Sequence, residues 1–221
     1  MKTALITGAS SEIGLSIAKK IENNYHLILI KHKKEINIKA LKNTPTILSC
    51  DLNDEIEIRN LINNLKNTKI DLLINVAGYD QNESIDNISM ENLLTTLKIN
   101  LLAPFILIQK LFDKNSSGTV INIASTDGID TFNEYNMPYA TSKAALIHLT
   151  KQLDFIYKNL KIYALCPNYV NTETVKSMDP TFLKQELKRI KQNQLNSPND
   201  VATKVEEIIN TLPKEIIIRM E

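Results

Sequence analysis

The chain has 221 residues, 43% of them hydrophobic, and a formal net charge of +1. This length predicts a single domain over residues 1–221 with a sizeable buried core. A nearly neutral chain is not typical of proteins that bind nucleic acid or an acidic membrane surface, so we expect neither partner.

Strand-like and helix-like patterns alternate along the whole chain. The predicted strands are Thr3–Thr7, His26–Ile30, Thr46–Cys50, Asp71–Val76, Thr119–Ala124, Lys161–Cys166 and Glu215–Arg219. Helical patterns fill most gaps, including Met90–Phe112 and Tyr139–Tyr157, but the segment from Glu35 to Thr44 leaves little room for a full helix. The alternation predicts an α/β fold with a doubly wound parallel sheet, helices on both faces, and ligands at the carboxyl ends of the strands.

A turn with two glycines follows the first predicted strand. Residues 7–14 read TGASSEIG and lead into an amphipathic helical pattern. A strand, a tight turn and a helix in this order direct backbone N–H groups and the positive end of the helix at a pyrophosphate. An ordinary glycine turn of an α/β protein fits the same residues.

The second predicted strand ends in a basic segment, Lys31-His32-Lys33-Lys34, and the first carboxylate comes only at Glu35. Sites that select NAD(H) usually place an acidic residue at this strand end, whereas a 2′-phosphate requires positive charge. The segment therefore predicts NADP(H) rather than NAD(H). A solvated basic loop is the alternative interpretation.

Neither the cysteines nor the histidines form a recognisable site. Cys50 and Cys166 each end a strand-like run, as small buried residues do in a reducing compartment. His26, His32 and His148 lack the spacing of metal ligands, so we expect no metal site. We also expect no signal peptide and no apolar run of membrane-spanning length, and hence a cytoplasmic protein.

Tyr139 and Lys143 are four residues apart on a predicted helix and therefore share a face. The charge of a lysine favours the phenolate, so Lys143 is expected to lower the pKa of Tyr139. A hydroxyl that exchanges a proton near neutral pH is what reduction of a carbonyl requires. Alone, this spacing is also common on solvated helices.

Six motifs in chain order together resemble the short-chain dehydrogenase/reductase family, and in particular its members that act as 3-oxoacyl-carrier-protein reductases. The motifs are residues 7–14, Asn75-Val76-Ala77-Gly78, Asn100, Ser125, Tyr139 with Lys143, and Pro167-Asn168. The resemblance covers nearly the whole chain. It implies a single-domain Rossmann fold of about seven strands and an enzyme that interconverts a ketone or β-ketoacyl group and a secondary alcohol by hydride transfer.

The resemblance also assigns roles to residues. Tyr139 would be the acid and base, Lys143 would hold the nicotinamide ribose, Ser125 would bind the carbonyl, and Asn100 would bend its helix and order a water. The implied catalytic set is Asn100, Ser125, Tyr139 and Lys143. The implied cofactor-binding set is Gly8, Ser10, Ser11, Ile13, Gly14, Lys31, His32, Lys33, Asp51, Leu52, Asn75, Ala77, Gly78, Tyr139, Lys143, Pro167, Val170 and Thr172.

Three residues depart from the family pattern. Glu12 replaces a glycine of the turn and brings a carboxylate near the expected pyrophosphate. Val76 replaces a second asparagine, and Asn168 replaces the glycine after Pro167, where asparagine best tolerates positive φ. Glu12 favours an alternative function, a catalytically idle regulatory protein that binds the cofactor on the same fold. The complete catalytic set favours the enzyme.

The partners expected are a small carbonyl or alcohol substrate and other copies of the chain. Residues 174–194 correspond to the variable lid of the family, and their apolar face with basic flanks suits either an acyl thioester or an ordinary surface helix. The helices Met90–Phe112 and Tyr139–Tyr157 carry more apolar residues than one buried stripe needs. The resemblance implies that they pair across a two-fold axis in a homodimer or homotetramer.

Overall fold

Seven parallel strands form the centre of the computed structural model, which describes residues 1–132 and 134–220. The strands are β1 (Lys2–Thr7), β2 (Tyr25–Lys31), β3 (Thr46–Ser49), β4 (Leu72–Asn75), β5 (Gly118–Ile123), β6 (Leu160–Pro167) and β7 (Ile217–Met220). Their order across the sheet is β3-β2-β1-β4-β5-β6-β7, and all neighbouring pairs are parallel. The predicted sheet is confirmed.

Helices cover both faces of this sheet. They are α1 (Glu12–Ile21), α2 (Glu55–Leu65), α3 (Met90–Leu97), α4 (Ala103–Leu111), α5 (Met137–Ile156), α6 (Glu173–Lys176), α7 (Pro180–Arg189) and α8 (Pro198–Thr211). Between β2 and β3 the chain forms only a short turn of 3₁₀ helix, Ile38–Ala40, as the limited length of that segment predicts.

Each central strand contributes to two hydrophobic cores, because successive side chains of a strand point to opposite faces. In β1, Ala4 and Ile6 are buried in the core that contains Ile17 of α1. Leu5 is buried in the core that contains Leu107 of α4. The near-continuous apolar sequence of the strands follows from this burial on both sides.

The predicted helix Met90–Phe112 is interrupted by a wider turn. Residues Lys98–Leu102 form a π-helical segment that joins α3 to α4. By length and mean hydropathy, Met90–Leu111 is the one helix among the described residues that could cross a membrane, which corrects the expectation that no apolar run reaches that length. Leu107 and Ile108 are fully buried against the sheet, as in the core helix of a globular domain.

The strand order reverses between β1 and β4, and the polypeptide leaves both strands at the same edge of the sheet. The hydroxyl oxygen Oγ1 of Thr7 accepts hydrogen bonds from the backbone N–H groups of Val76 (3.1 Å) and Ala77 (3.3 Å). These bonds join the two strand ends. A crevice at such a reversal is where open α/β sheets bind their ligands.

Candidate active site

A cavity of about 540 Å³ opens at this edge of the sheet, within the range of small-molecule and cofactor sites. Its walls come from the turn after β1, the ends of β4, β5 and β6, the start of α5, and the segment that includes α6. The predicted site residues that line it are Ser10, Ser11, Ile13, Ala77, Gly78, Ser125, Tyr139, Lys143, Pro167, Val170 and Thr172.

The turn after β1 is closed too tightly for side chains at its glycines. Gly8 has a φ of +62°, and a Cβ there would lie 2.6 Å from the backbone nitrogen of Ala77. A Cβ on Gly14 would lie 2.4 Å from the carbonyl oxygen of Gly8. Ser11 caps α1 by accepting a hydrogen bond from the N–H of Gly14 at 3.0 Å. The cavity therefore meets backbone at the N-terminus of a helix, which fits a pyrophosphate.

The Glu12 carboxylate is held by the segment on the other side of the cavity. It accepts a hydrogen bond from the backbone N–H of Glu173 in α6, at 2.7 Å. The side chain of Glu173 in turn lies 3.1 Å from Nζ of Lys34. Glu12 thus joins the glycine turn to α6 at the wall of the cavity. Lys34 lines the cavity, although the sequence-based set stopped at Lys33.

The other basic residues after β2 lie outside the cavity walls. Nζ of Lys31 pairs with the carboxylate of Glu35, and Nε2 of His32 lies 3.5 Å from the Asp51 carboxylate. Lys33 is exposed. These groups lie together at the carboxyl ends of β2 and β3.

Leu52 and Asn75, which the family resemblance predicted to bind the cofactor, make their contacts in the interior of the fold. Leu52 is buried in the core that contains Leu107. Nδ2 of Asn75 donates to Oδ1 of Asn122 at 2.8 Å, and Nδ2 of Asn122 donates to the hydroxyl of Thr150 at 3.0 Å. This ladder joins β4, β5 and α5, and so fixes the distance between the cofactor side of the cavity and the helix that carries Tyr139.

Ser125, Tyr139 and Lys143 meet in the cavity. Ser125 follows β5, whereas Tyr139 and Lys143 lie one turn apart on α5. The Ser125 hydroxyl acts on the Tyr139 side chain by favouring the charged form of its phenol. Nζ of Lys143 donates to the carbonyl oxygen of Ile123 at 2.8 Å and lies 5.4 Å from the centroid of the Tyr139 ring.

Asn100 lies behind these residues, in the π-helical segment, and is fully buried. Its Oδ1 accepts from the backbone N–H of Tyr79 at 2.8 Å, and its Nδ2 donates to the carbonyl of Tyr79 and to the Ser142 hydroxyl, both at 2.9 Å. The Ser142 hydroxyl donates to the carbonyl of Tyr139 at 2.7 Å. Asn100 therefore acts as a positioning residue that holds the loop after β4 against α5.

The electrostatics of the pair differ from the sequence-based expectation. Burial lowers the pKa of Lys143 to about 8. Burial and the negative charges of Asp127 and Asp80 hold the pKa of Tyr139 above its ordinary value, although its hydrogen bond with Ser125 opposes this. The lowering of the Tyr139 pKa that we expected from Lys143 is thus outweighed in the protein without bound cofactor. Tyr139 therefore carries its proton at neutral pH.

Asp80 and Asp127 are functional candidates that the sequence reasoning missed. Both line the cavity beside Ser125 and Tyr139. Burial raises the pKa of Asp127 to about 6, and desolvation by the cavity walls together with the charge of Asp127 raises the pKa of Asp80. No motif marks either residue, because both stand in loops whose course depends on the folded chain.

The segment after β6 completes the cavity. Asn168 does not adopt the positive φ that its place after Pro167 suggested. Its side-chain oxygen instead accepts a hydrogen bond from the Thr126 hydroxyl. This contact ties the end of β6 to the loop that follows Ser125.

The family model of the short chain dehydrogenases matches residues 2–182 of the chain. The protein belongs to this family. It is 31% identical over 210 residues to a 3-oxoacyl-[acyl-carrier-protein] reductase from Rickettsia conorii, which covers 91% of this chain and 86% of the relative. A reductase of the same name from Aquifex aeolicus is 27% identical over 208 residues, which cover 92% of this chain and 78% of the relative.

Solved structures agree with this assignment. A 4-hydroxyisoleucine dehydrogenase complexed with NADH superposes with a TM-score of 0.84 at 26% identity, covering all of this chain (100%) and 97% of that one. This short-chain dehydrogenase is accordingly an NAD(P)-dependent oxidoreductase with a Rossmann fold, as the sequence motifs predicted.

Proposed function

We propose that this short-chain dehydrogenase interconverts a ketone and a secondary alcohol with NADP(H), and that Tyr139 is its acid and base. One observation carries the proposal: Ser125, Tyr139 and Lys143 converge in the same cavity as the helix N-terminus that fits a pyrophosphate. A hydride donor held at that helix would face a hydroxyl pair able to bind a carbonyl oxygen.

The bound cofactor would supply the hydride for reduction and accept it in oxidation. In reduction the carbonyl carbon gains this hydride and the carbonyl oxygen gains the proton of Tyr139, so that ketone, hydride and proton become the alcohol. The raised pKa of Tyr139 keeps that proton in place until negative charge develops on the substrate oxygen. The Ser125 hydroxyl donates to the same oxygen.

Lys143 supports both the proton transfer and the cofactor. With a pKa of about 8, its ammonium is largely charged at neutral pH and stabilises a Tyr139 that has given up its proton. It is directed by its bond to the Ile123 carbonyl, and would contact the nicotinamide ribose from the floor of the cavity.

NADP(H) is the cofactor that the charges favour. Lys31 ends β2 and His32 and Lys33 follow it, where a selective NAD(H) site usually carries an acidic residue, and Lys34 lines the cavity nearby. A 2′-phosphate would draw Lys31 from its pair with Glu35. We also propose a cytoplasmic location, supported by two free, buried cysteines.

The names of the relatives give two substrate classes, a 3-oxoacyl group on acyl carrier protein and 4-hydroxyisoleucine. Val175 and Met178, in the predicted lid, line the cavity and would suit an acyl group. The polar groups in the cavity with Ser125 and Tyr139 bear on the choice between these classes.

Tyr139→Phe tests the proposal, because it removes only the ionisable oxygen. We expect turnover to fall by at least about 100-fold while cofactor affinity is kept. Tyr135→Phe is the matched control, since Tyr135 is the neighbouring tyrosine without a lysine four residues on. The readouts are cofactor oxidation with a panel of ketones and thioesters and a cofactor titration.

Comparable turnover by Tyr139→Phe would show that another group provides the proton. Tight cofactor binding by the wild type without turnover of any compound in a broad panel would favour the alternative, an idle regulatory protein.

A further inference from the structure

The cavity that contains Ser125 and Tyr139 also has a group of polar side chains in its walls. The residues that form it are Tyr79, Asp80, Asn82, Asp127, Thr131 and Asn136. An acyl chain would need apolar walls at this point, because covering carboxylates and amides without hydrogen bonds is costly. The apolar residues Met178 and Ile190 belong to the segment that covers the cavity.

Asp127 is held against the reacting groups. Its Oδ2 lies 3.2 Å from Oγ of Ser125, and Nδ2 of Asn136 donates to the same oxygen at 3.2 Å. The backbone N–H of Asp127 donates to Oγ of Ser125 at 3.1 Å. A compound whose carbonyl is bound by Ser125 would therefore have the Asp127 carboxylate next to the carbons flanking that carbonyl.

Asn136 provides an independent sign of a ligand. It is 4% exposed and lines the cavity, and its Oδ1 has no hydrogen-bond partner among the described residues. Its amide nitrogen is committed to Asp127, so Oδ1 remains as an acceptor. A buried acceptor without a donor is uncommon, and a ligand donor at this point would satisfy it.

Asp80 adds a further acceptor on another wall of the cavity. Its position is set by Asn100, which holds both backbone groups of the preceding residue, Tyr79. The charges that act on the two carboxylates are those of Asp127 and Lys143 on Asp80, and those of Arg189 and Glu186 of α7 on Asp127. Arg189 is already paired with Glu186 at 2.6 Å. Two carboxylates and an amide oxygen thus surround the carbonyl position.

Resting on the proposed function, we propose that the substrate is a small ketone that carries hydrogen-bond donors, hydroxyl or ammonium, on the carbons next to the reacting carbonyl. Asp80, Asp127 and Asn136 are the groups that would accept these donors. These three residues would favour such a compound over an unsubstituted acyl thioester. Binding removes their acceptor oxygens from water, and only a substrate with hydroxyl or ammonium donors replaces the lost hydrogen bonds.

Three ketones of equal size test this inference: hydroxymethyl ethyl ketone, aminomethyl ethyl ketone and diethyl ketone. The acetoacetyl thioester of N-acetylcysteamine represents the acyl substrates. We expect kcat/KM to be at least about tenfold higher for the hydroxy or the amino compound than for diethyl ketone. Only the hydroxy and amino compounds can donate a hydrogen bond to a charged acceptor. The hydroxy and amino arms show which donor the site takes.

The variants Asp127→Asn and Asp80→Asn should reduce this preference severalfold. Asp86→Asn is the control, because Asp86 is an exposed carboxylate of the same loop that stands outside the cavity walls. A loss of kcat/KM on the hydroxy or amino compound that clearly exceeds the change on diethyl ketone separates recognition of the donors from a general effect on turnover or on the fold.

A wild-type preference for diethyl ketone or for the thioester, with turnover that depends on Tyr139, would overturn the inference and leave the proposed function standing. No turnover of any of the four compounds by a protein that binds cofactor would contradict the proposed function itself. An unchanged preference in both aspartate variants would also overturn the inference.

Discussion

Single residues in the cavity carry charge where the fold makes charge unfavourable. The pKa of Lys143 is lowered to about 8 and that of Asp127 is raised to about 6, in both cases mainly by burial. Ionisable groups with pKa values shifted by burial are typical of functional sites. The same residues at the protein surface would stay solvated and would not reduce the stability of the fold. The chain thus gives up stability at the positions where we place its chemistry.

Asp127→Asn should stabilise the protein at pH 7. Because the folded-state pKa of Asp127 is raised, the folded protein binds its proton more tightly than the unfolded chain, and stability falls as pH rises from about 4 to about 6. The asparagine has no such cost and retains an oxygen for Asn136. We expect a gain of about 1–2 kcal/mol in the free energy of unfolding, measured with urea.

The gain from Asp127→Asn should shrink as the pH is lowered toward about 4, where the wild-type carboxyl is also neutral. The groups that act on it are Ser125, Asn136 and Arg189, which favour its charge, and Glu186, which opposes it. A variant less stable than the wild type at pH 7 would mean that these contacts outweigh the cost of burial.

The sequence placed the proposed reacting groups next to each other but did not predict their ionisation. Tyr139 and Lys143 are adjacent on one helix, so their proximity follows from spacing alone. The pKa of Tyr139 depends on Asp80 and Asp127, which only the folded loops bring near it. The orientation of Glu12 likewise depends on Glu173, 161 residues further along the chain. Local patterns contain neither piece of information.

At the scale of elements, the π-helical segment between α3 and α4 connects the fold to the site. Its wider turn presents Asn100 to the backbone of Tyr79 and to Ser142 at once. Such segments are rare and often occur at functional sites. The sequence predicted a helix over these residues and marked Asn100 as an unusual residue for its interior, but its apolar pattern did not indicate the change in helical pitch.

Asn100→Leu should destabilise the protein by about 2–4 kcal/mol, because it leaves the buried backbone groups of Tyr79 without partners. We also expect reduced kcat, since the loop with Asp80 loses its anchor. Asn87→Ala is the control: Asn87 is exposed and bonds only locally, to Ser84. Urea unfolding and cofactor oxidation provide the two readouts. Equal losses for both variants would show that Asn100 has no special structural role.

The loop after β2 should decide between the two cofactors. We expect wild-type protein to bind NADPH more tightly than NADH, and simultaneous replacement of Lys31, His32 and Lys33 by neutral residues to weaken NADPH roughly tenfold while sparing NADH. A control replaces three exposed lysines elsewhere, Lys66, Lys110 and Lys114. Titration followed by fluorescence measures the six affinities of the three proteins for the two cofactors, and tighter binding of NADH by the wild type would refute the preference.

The sequence predicted the boundaries of the strands more accurately than it predicted the contacts between side chains. Apolar runs located all seven strands to within two residues, because the central strands are buried on both faces and the edge strands β3 and β7 are also rich in apolar residues. The participation of Lys34 in the cavity wall could not be predicted, since it depends on how the loop after β2 approaches α6.

For the whole molecule, the most informative surface is an apolar one on α3, α5 and the π-helical segment. Leu94 is 47% exposed and Leu102 46%, and on α5 Phe155 is 73% exposed and Ile156 47%. These are the helices on which the sequence predicted a homodimer or homotetramer. Large exposed apolar side chains on helices that pack against each other favour association, so the oligomer stays a prediction with candidate interface residues.

Leu102→Glu with Phe155→Glu should convert the oligomer to a particle of 25.0 kDa, the mass of one chain. A charge placed in an apolar interface is desolvated without a partner, so association should be lost. Ile56→Glu on α2 is the control, because Ile56 is 68% exposed but lies on another surface. Light scattering at micromolar concentration makes the comparison. A wild-type particle of 25.0 kDa would contradict the prediction.

The strand order also has a consequence for how the protein is made. The ribosome releases β1 first, yet this strand ends up between β2 and β4 and must wait for β4 with one edge unpaired. The later strands β5, β6 and β7 then add to the same growing side in the order of their synthesis. The glycine turn after β1 is therefore synthesised before the helix bearing Tyr139, whereas the segment after β6, which completes the cavity, is synthesised after it. A nascent chain thus carries the turn that would bind the pyrophosphate before it carries the residue proposed to transfer the proton.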